Sequence, residues 1–148
     1  MFESIDPTTE QPFHRVELDA PEAVERKLET GFEAWRRWRR RSFAERAEAV
    51  RALATSLRGD RERLARLMVR EMGKPVLEAR GEVDKTAWCY EHYAEHAESY
   101  LAPVELGSDA SRSYVQHLPQ GPAFGILPWN DPLWLSSRVA APALMAGN

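Results

Sequence analysis

The chain has 148 residues, 43% hydrophobic and 29% charged, a composition typical of a globular protein and compatible with one domain. A formal charge of −3 gives no reason to expect nucleic acid or a membrane surface as a partner, and no stretch approaches the roughly 18 apolar residues of a membrane span. The single cysteine, Cys89, excludes an internal disulfide, and the N-terminus does not resemble a signal peptide, so we expect a cytoplasmic protein.

The first predicted elements are an arm and a helix. Residues 2–18 contain Pro7 and Pro12 among polar residues, which predicts an irregular arm or edge strand that lies against a larger body. Residues 19–22 (Asp-Ala-Pro-Glu) have the pattern of a capping box with proline in the first turn. Apolar residues then recur at helical spacing and predict the first helix: Val24, Leu28, Phe32 and Trp35.

Three further helices are predicted before residue 103. Residues 42–45 (Ser-Phe-Ala-Glu) repeat the capping-box pattern and begin a helix that we expect to end at Gly59. A third helix should end at Gly73. A fourth should run from residue 76 to about residue 101, with Pro103 closing it.

The character of the sequence changes after Pro103. Residues 113–118 alternate like an exposed strand, whereas residues 123–127 form an apolar run that predicts a strand covered on both faces. Residues 133–145 predict a packed helix, capped by Gly147. Helices followed by strand, buried strand and buried helix predict an α/β fold whose parallel sheet is incomplete, because such a sheet needs another strand after the crossover.

The turn at residues 128–131 is the most informative candidate site. It follows the predicted buried strand, and open α/β sheets place their ligands at the carboxyl ends of strands. The amide of Asn130, fixed there, could donate a hydrogen bond to a negatively charged oxygen, an interaction worth roughly 3 kcal/mol in enzymes. A tight proline-rich turn with a packed Trp129 indole explains the same residues, and the spacing leaves both interpretations open.

Two blocks of sequence carry a family resemblance. Residues 121–132 (GPAFGILPWNDP) followed by residues 140–148 (AAPALMAGN) resemble the start of the cofactor-binding core of aldehyde dehydrogenases. Residues 32–46 and 71–75 resemble the helical N-terminal region of the same family, so the resemblance covers nearly the whole chain. Two tracts are most similar to bacterial succinate-semialdehyde dehydrogenases: residues 87–98 and 111–115.

The resemblance implies a fold and a domain organisation. It implies the N-terminal part of the aldehyde dehydrogenase fold, with helices, an oligomerisation-type hairpin and the start of a Rossmann-like parallel sheet. The implied divisions are an arm at 1–18, the helical part of the cofactor-binding domain at 19–102, a hairpin segment at 103–120 and the first strand, turn and helix of the core at 121–148. It also implies a homo-oligomer.

The resemblance also implies site residues and a reaction. Asn130 would form an oxyanion hole for a thiohemiacetal and would contact NAD or NADP together with four neighbours: Ile126, Leu127, Pro128 and Trp129. In the family a cysteine attacks a small aldehyde, a hydride passes to NAD(P)+, and a glutamate-activated water releases the carboxylic acid. We expect both catalytic residues beyond Asn148, which leaves two hypotheses: part of a longer enzyme, or a truncated inactive fragment that at most associates with full-length subunits.

One position departs from the family pattern. Asp131 stands where an aromatic residue usually follows Pro-Trp-Asn, and a carboxylate beside the oxyanion donor would disfavour a developing negative charge.

Three other features have less specific interpretations. Residues 92–96 match the H-x-x-E-H pattern of inverted zinc peptidases, but a solvated helix face explains them and we expect no metal site. Residues 35–41 (WRRWRRR) could stack on nucleic acid, although Phe32 and Trp35 on a core face, with the arginines paired to Glu33 and Glu45, fit better. Cys89 lies mid-helix and is expected to be a buried structural thiol.

Overall fold

The computed structural model describes all 148 residues as five helices and two antiparallel hairpins. In chain order the elements are β1 (Phe2–Asp6), β2 (Gln11–Val16), α1 (Pro21–Trp38), α2 (Phe43–Gly59), α3 (Arg61–Met72), α4 (Val76–Tyr100), β3 (Val104–Glu105), β4 (Tyr114–Val115) and α5 (Pro132–Met145). None of the helices has the length and apolar character required to cross a bilayer. The predicted helices are therefore all present, with ends within a few residues of those expected.

Helix α4 lies at the centre of the fold and packs against α2, α3 and α5. Its contact with α2 and α5 is rich in alanine, and Ala54, Ala87 and Ala141 are fully buried. Small side chains let helix backbones approach closely, while Val50 and Met145 fill the remaining volume. A second cluster joins α3 to α4: Ala65, Met68, Ala79 and Val83.

The two predicted capping boxes have different outcomes. Ser42 and Glu45 form the expected reciprocal pair, with Ser42 N donating to Glu45 Oε2 at 2.7 Å and Glu45 N donating to Ser42 Oγ at 3.2 Å. The bonds from the Ser42 backbone and side chain lower the pKa of Glu45. The box predicted at residues 19–22 is wrong, because Ala20 occupies the N-cap position and Asp19 instead accepts a hydrogen bond from Lys27 Nζ at 2.5 Å.

Helix α1 leaves most of its apolar face uncovered. Phe32 is 51% exposed and Leu28 57% exposed, so the prediction that Phe32 lies on a core face is wrong. Trp35, predicted on the same face, is partly buried beside α5, but no residue of α1 is fully buried, and full burial would need a closer partner. The arginine pairing is confirmed, since Arg36 pairs with Glu33 at 2.9 Å and Arg41 with Glu45 at 3.9 Å.

Side chains from α1 and α2 bind the C-terminal end of α5. Trp38 Nε1 donates to the carbonyl of Leu144 at 2.9 Å, and buried Arg46 donates through Nε to the carbonyl of Met145 at 3.1 Å. The last carbonyls of a helix have no partner within the helix, so Arg46 satisfies the carbonyl of Met145, while Trp38 adds a second bond to the Leu144 carbonyl, which also accepts from Gly147 N at 3.0 Å.

The N-terminal arm is a regular hairpin that packs on α3. β1 pairs antiparallel with β2, and the register shifts between Ser4 and Ile5. The guanidinium of Arg70 in α3 lies 4.2 Å from the ring centre of Phe13 and 3.6 Å from the Asp6 carboxylate. The expected contact with a larger body is therefore present.

The two predicted strands after residue 103 differ from expectation. The exposed strand at 113–118 is reduced to β4, which pairs with β3. Residues 123–127 belong to no sheet, and Phe124 and Ile126 are 86% and 88% exposed, so the prediction of a strand covered on both faces is wrong. Burial of such a strand requires neighbouring strands and a second layer, and neither is present among these residues.

Gly147 follows α5 in a left-handed conformation, with φ of 88°, as its predicted capping role requires. A Cβ there would lie 3.0 Å from Pro119 Cγ. We expect Gly147→Ala to lower the free energy of unfolding by about 1 to 2 kcal/mol in urea denaturation, because an L-residue is strained at this φ. Gly81→Ala is the control, since nothing lies within 4 Å of its Cβ position in α4, and it should not destabilise. Equal effects of the two changes would contradict the assignment of strain to Gly147.

Candidate active site

The turn predicted as the site joins the extended segment 122–127 to α5. Asp131 occupies the N-cap position of α5 and Pro132 follows at the first helical position, where a missing N–H has no cost. The side chain of Asp131 makes no capping hydrogen bond to the helix backbone. It is therefore free to bind other groups of the turn.

Asn130 is exposed and its side chain is held by its neighbour. Its Nδ2 donates to Asp131 Oδ2 at 2.8 Å, and its backbone carbonyl accepts a hydrogen bond from Lys74 Nζ at 3.1 Å. A primary amide carries two N–H groups, so the second remains available for a ligand. This geometry suits a donor to a developing negative charge.

Lys74 connects the turn to the helical body. Its ammonium group, on a side chain only 11% exposed, binds Asp131 Oδ1 at 2.5 Å and also binds Glu82 Oε2. Burial alone would lower the pKa of Lys74, but the hydrogen bonds to Asp131 and Glu82 outweigh burial and the pKa is raised. Lys74 therefore stays protonated and offsets the charge of Asp131, which the sequence alone left unbalanced beside Asn130.

Glu82 completes this connection from the centre of the fold. Its side chain on α4 is 3% exposed, and Oε1 accepts hydrogen bonds from the N–H groups of Leu133 at 2.9 Å and Trp134 at 3.1 Å. Those amides belong to the first turn of α5, where they have no partner within the helix and where a negative charge is favoured. One buried carboxylate thus fixes both the start of α5 and Lys74.

The other predicted cofactor residues do not converge on one surface. Leu127 faces a cleft together with Ala123 and Gly125, whereas Ile126 on the alternate face is 88% exposed. Trp129 is 74% exposed, so the interpretation of a packed indole does not describe this turn. The backbone of residues 122–130 makes no backbone–backbone hydrogen bond. Apart from the Asn130 carbonyl, which Lys74 binds, its C=O groups and the N–H groups of its non-proline residues therefore remain available.

The cleft, of about 570 Å³, lies between α1, α5 and the extended segment. It is mostly apolar, and Trp35, Trp38 and Leu144 contribute to its wall. Trp35 Nε1 is buried without a hydrogen-bond partner. The cleft adjoins the turn only through Leu127, so it lies beside the site rather than within it.

The features with alternative interpretations lie elsewhere. The rings of His92 and His96 stack with centroids 4.6 Å apart, and His92 Nε2 is 3.1 Å from the hydroxyl oxygen of Tyr100. Glu95 is 73% exposed and lies 3.8 Å from His96. Cys89 is a buried free thiol in α4, as predicted, and is remote in sequence from the turn.

Sequence reasoning did not identify Lys74 and Glu82 as site residues. A signal for Glu82 existed, since it shares a helix face with Ala79, Val83 and Thr86, and a carboxylate on a core face needs a partner. Its partners could not be read from the pattern because they lie 51 and 52 residues further along the chain.

Comparison with known proteins decides the family. Residues 1–148 match the sequence profile described as the aldehyde dehydrogenase family. The chain belongs to the aldehyde dehydrogenase family. It is 40% identical to an aldehyde dehydrogenase of Paenarthrobacter nicotinovorans over 98% of the chain and 32% of that protein. It is 34% identical to Sad of Escherichia coli strain K12, a succinate semialdehyde dehydrogenase [NAD(P)+], over 98% of the chain and 31% of that protein.

A solved structure confirms the fold of this family member. The chain superposes on succinic semialdehyde dehydrogenase from Streptococcus pyogenes, determined in complex with NADP+, with a TM-score of 0.87 and 31% identity. The match covers 100% of this chain and 33% of that one. The predicted fold, an N-terminal part of the aldehyde dehydrogenase fold, is therefore correct, and the chain spans about a third of the length of the relatives it matches.

Proposed function

We propose that this chain forms the N-terminal third of an enzyme that oxidises succinate semialdehyde to the carboxylic acid with NAD(P)+, and that Asn130 supplies the oxyanion hole. The observation that carries the proposal is the Asn130 amide at an exposed turn, with one N–H bound by Asp131 and the other available. The named activities of the Escherichia coli and Streptococcus pyogenes relatives support the choice of substrate and cofactor.

In this proposal Asn130 acts after a thiolate has attacked the aldehyde carbonyl. The carbonyl oxygen gains a negative charge, and the available Nδ2–H donates to it, which stabilises the intermediate and the transition state before it. We place the nucleophile beyond Asn148, since Cys89, the one cysteine of these residues, is buried within α4. The hypothesis of an inactive fragment is not favoured, since it assigns no role to the hydrogen bonds that hold Asn130 in the turn.

The residues before Asn130 suit a dinucleotide. The backbone N–H groups of Ile126 and Leu127, the C=O groups of residues 126–128 and the exposed indole of Trp129 offer hydrogen bonds and an aromatic surface. When bound, NAD(P)+ supplies the acceptor for the hydride that leaves the aldehyde carbon. We assign residues 126–130 to the wall of this cofactor site. Ile126, Leu127 and Pro128 contribute main-chain groups, since the side chains of Ile126 and Leu127 face different sides, while Trp129 contributes its indole and Asn130 its amide.

The hairpin of β3 and β4 is the proposed contact with further copies of the enzyme. It presents exposed apolar side chains on a short edge, and exposed apolar surface of this kind is typical of interaction sites. Those side chains include Val104, Leu106, Val115 and Leu118.

A chimeric enzyme tests the proposed function. Residues 1–148 would replace the matching N-terminal third of Escherichia coli Sad, to which they align over 98% of the chain. We expect the chimera to produce NAD(P)H in a reaction that depends on succinate semialdehyde, followed at 340 nm. The chain by itself is the control and should produce none, because it has no accessible cysteine.

The outcome depends on folding, which circular dichroism and thermal melting would check on the same preparation. A chimera that folds and binds NADP+ but oxidises neither succinate semialdehyde nor simple aldehydes would refute the proposal. A chimera that oxidises only other aldehydes would support the proposed reaction and contradict the proposed substrate.

A further inference from the structure

We propose that Asp131 and Lys74 are positioning residues for Asn130: Asp131 orients the amide through one Nδ2–H, and Lys74 holds Asp131 in place and offsets its charge. The purpose of this arrangement rests on the proposed function. The contacts themselves can be measured without turnover.

The orientation follows from two bonds on one residue. Asp131 binds the side chain of Asn130 at 2.8 Å, and Lys74 binds its backbone carbonyl at 3.1 Å. Lys74 and Asp131 also bind each other at 2.5 Å. The three groups therefore form a closed ring of hydrogen bonds, and rotation of the Asn130 amide would break its bond to a charged acceptor. Bonds to charged groups are the stronger class.

The charge balance gives Lys74 its second role. A lone carboxylate beside an oxyanion donor would oppose a developing negative charge at short range. Here the Asp131 carboxylate faces an ammonium group whose side chain is 11% exposed, so solvent screens their attraction less than it would at an open surface. Asp131 can thereby orient the amide with part of its charge compensated.

This role differs from that of Glu82. Glu82 fixes α5 and the Lys74 ammonium group but makes no contact with Asn130. Loss of Glu82 should weaken the packing of α4 on α5, whereas loss of Asp131 should release the Asn130 side chain and remove one partner of Lys74 without uncapping α5.

Nuclear magnetic resonance on the isotope-labelled 148-residue chain tests the proposal through the Asn130 side-chain amide. In the wild type one Nδ2 proton should exchange slowly with water. Asp131→Ala should speed that exchange by about threefold to tenfold and move its resonance, as expected for loss of a hydrogen bond to a charged acceptor. Lys74→Met should move the same resonance, and Lys74→Arg should restore most of the wild-type position. Restoration by arginine but not by methionine would show that this position requires a positive charge. A lysine that acted only by packing would be replaced equally well by either residue.

Lys27→Met is the matched control. Lys27 also binds an aspartate, Asp19, at 2.5 Å, but this pair is exposed and lies at the start of α1. The Asn130 resonances should not change in this variant. Unchanged Asn130 resonances in Asp131→Ala, with the remaining spectrum native, would overturn the proposal.

A measurement on the wild type needs no variant to fold. Fast exchange of both Asn130 Nδ2 protons with water would also overturn the proposal, since it would show that neither is bound to Asp131. Failure of the chimera to turn over would refute the proposed function and leave these contacts intact, so the two failures are distinguishable.

Discussion

Replacing Asn130 by alanine in the chimeric enzyme should lower kcat for aldehyde oxidation by about 10²- to 10³-fold, the usual effect of losing one oxyanion donor. The donated hydrogen bond is stronger to the oxyanion than to the neutral aldehyde, so the loss should fall on kcat and much less on KM. Initial rates over a range of succinate semialdehyde concentrations would separate the two constants.

Gln116→Ala is the control for this change. Gln116 carries the same amide group at an exposed position after β4 and lies away from the turn. Its replacement should leave kcat close to that of the unmodified chimera. A similar kcat for Asn130→Ala and Gln116→Ala would remove Asn130 from the catalytic groups, whatever its position in the fold.

Replacing Glu82 by alanine should lower the free energy of unfolding by about 3 to 5 kcal/mol, the usual cost of breaking a buried ion pair from one side. The change leaves the Lys74 ammonium group with Asp131 as its remaining carboxylate and leaves the N–H groups of Leu133 and Trp134 without an acceptor. Equilibrium unfolding in urea, monitored by circular dichroism, measures the effect. Glu82→Gln should cost less, because its amide oxygen still accepts from α5.

Glu91→Ala provides a control on the same helix. Glu91 pairs with Arg58 at 2.7 Å, but both side chains are about two-fifths exposed, at 41% and 43%. Exposed ion pairs are worth at most about 1 kcal/mol, so this change should be mild. Comparable losses for the two glutamates would show that Glu82 does not stabilise α5 in the way its contacts indicate.

The helices were predictable because their signals are local. The reciprocal bonds of Ser42 and Glu45 and the positive φ of Gly73 depend on residues within a single turn of helix. Asp19 failed as a cap although its sequence pattern was as good, since Lys27 lies two turns away and competes for its carboxylate. Local pattern identifies the helix there but not the partner of the side chain.

Burial was less predictable because it depends on surroundings that the segment does not encode. The run at residues 123–127 has the composition of a covered strand, yet Ile126 is 88% exposed where no neighbouring strand is present. Much of the apolar face of α1, including Leu28 and Phe32, is exposed for the same reason. Both segments have the apolar pattern of buried elements. That pattern indicates that a face tends to be buried, but it does not identify the element that covers it.

Part of the candidate site was predictable from the sequence and part was not. Family resemblance assigned Asn130 and its neighbours, and their roles stay predictions until turnover is measured. Lys74 and Glu82 could not be assigned from spacing, since Lys74 meets Asp131 across 57 residues of chain. Contacts between residues so far apart in the sequence can be identified only in the folded structure.

Helix α5 is anchored to the rest of the protein at both of its ends, and this constrains the length of the helix. Glu82 holds its first amides, while Trp38 and Arg46 hold its last carbonyls. A helix of 14 residues rises about 1.5 Å per residue, so these anchors stand roughly 20 Å apart. Adding or removing one residue within α5 would rotate one anchored end by about 100° relative to the other. The number of residues in α5 therefore has to match the distance and angle between these anchors if Asn130, just before the helix, is to keep its place beside Lys74.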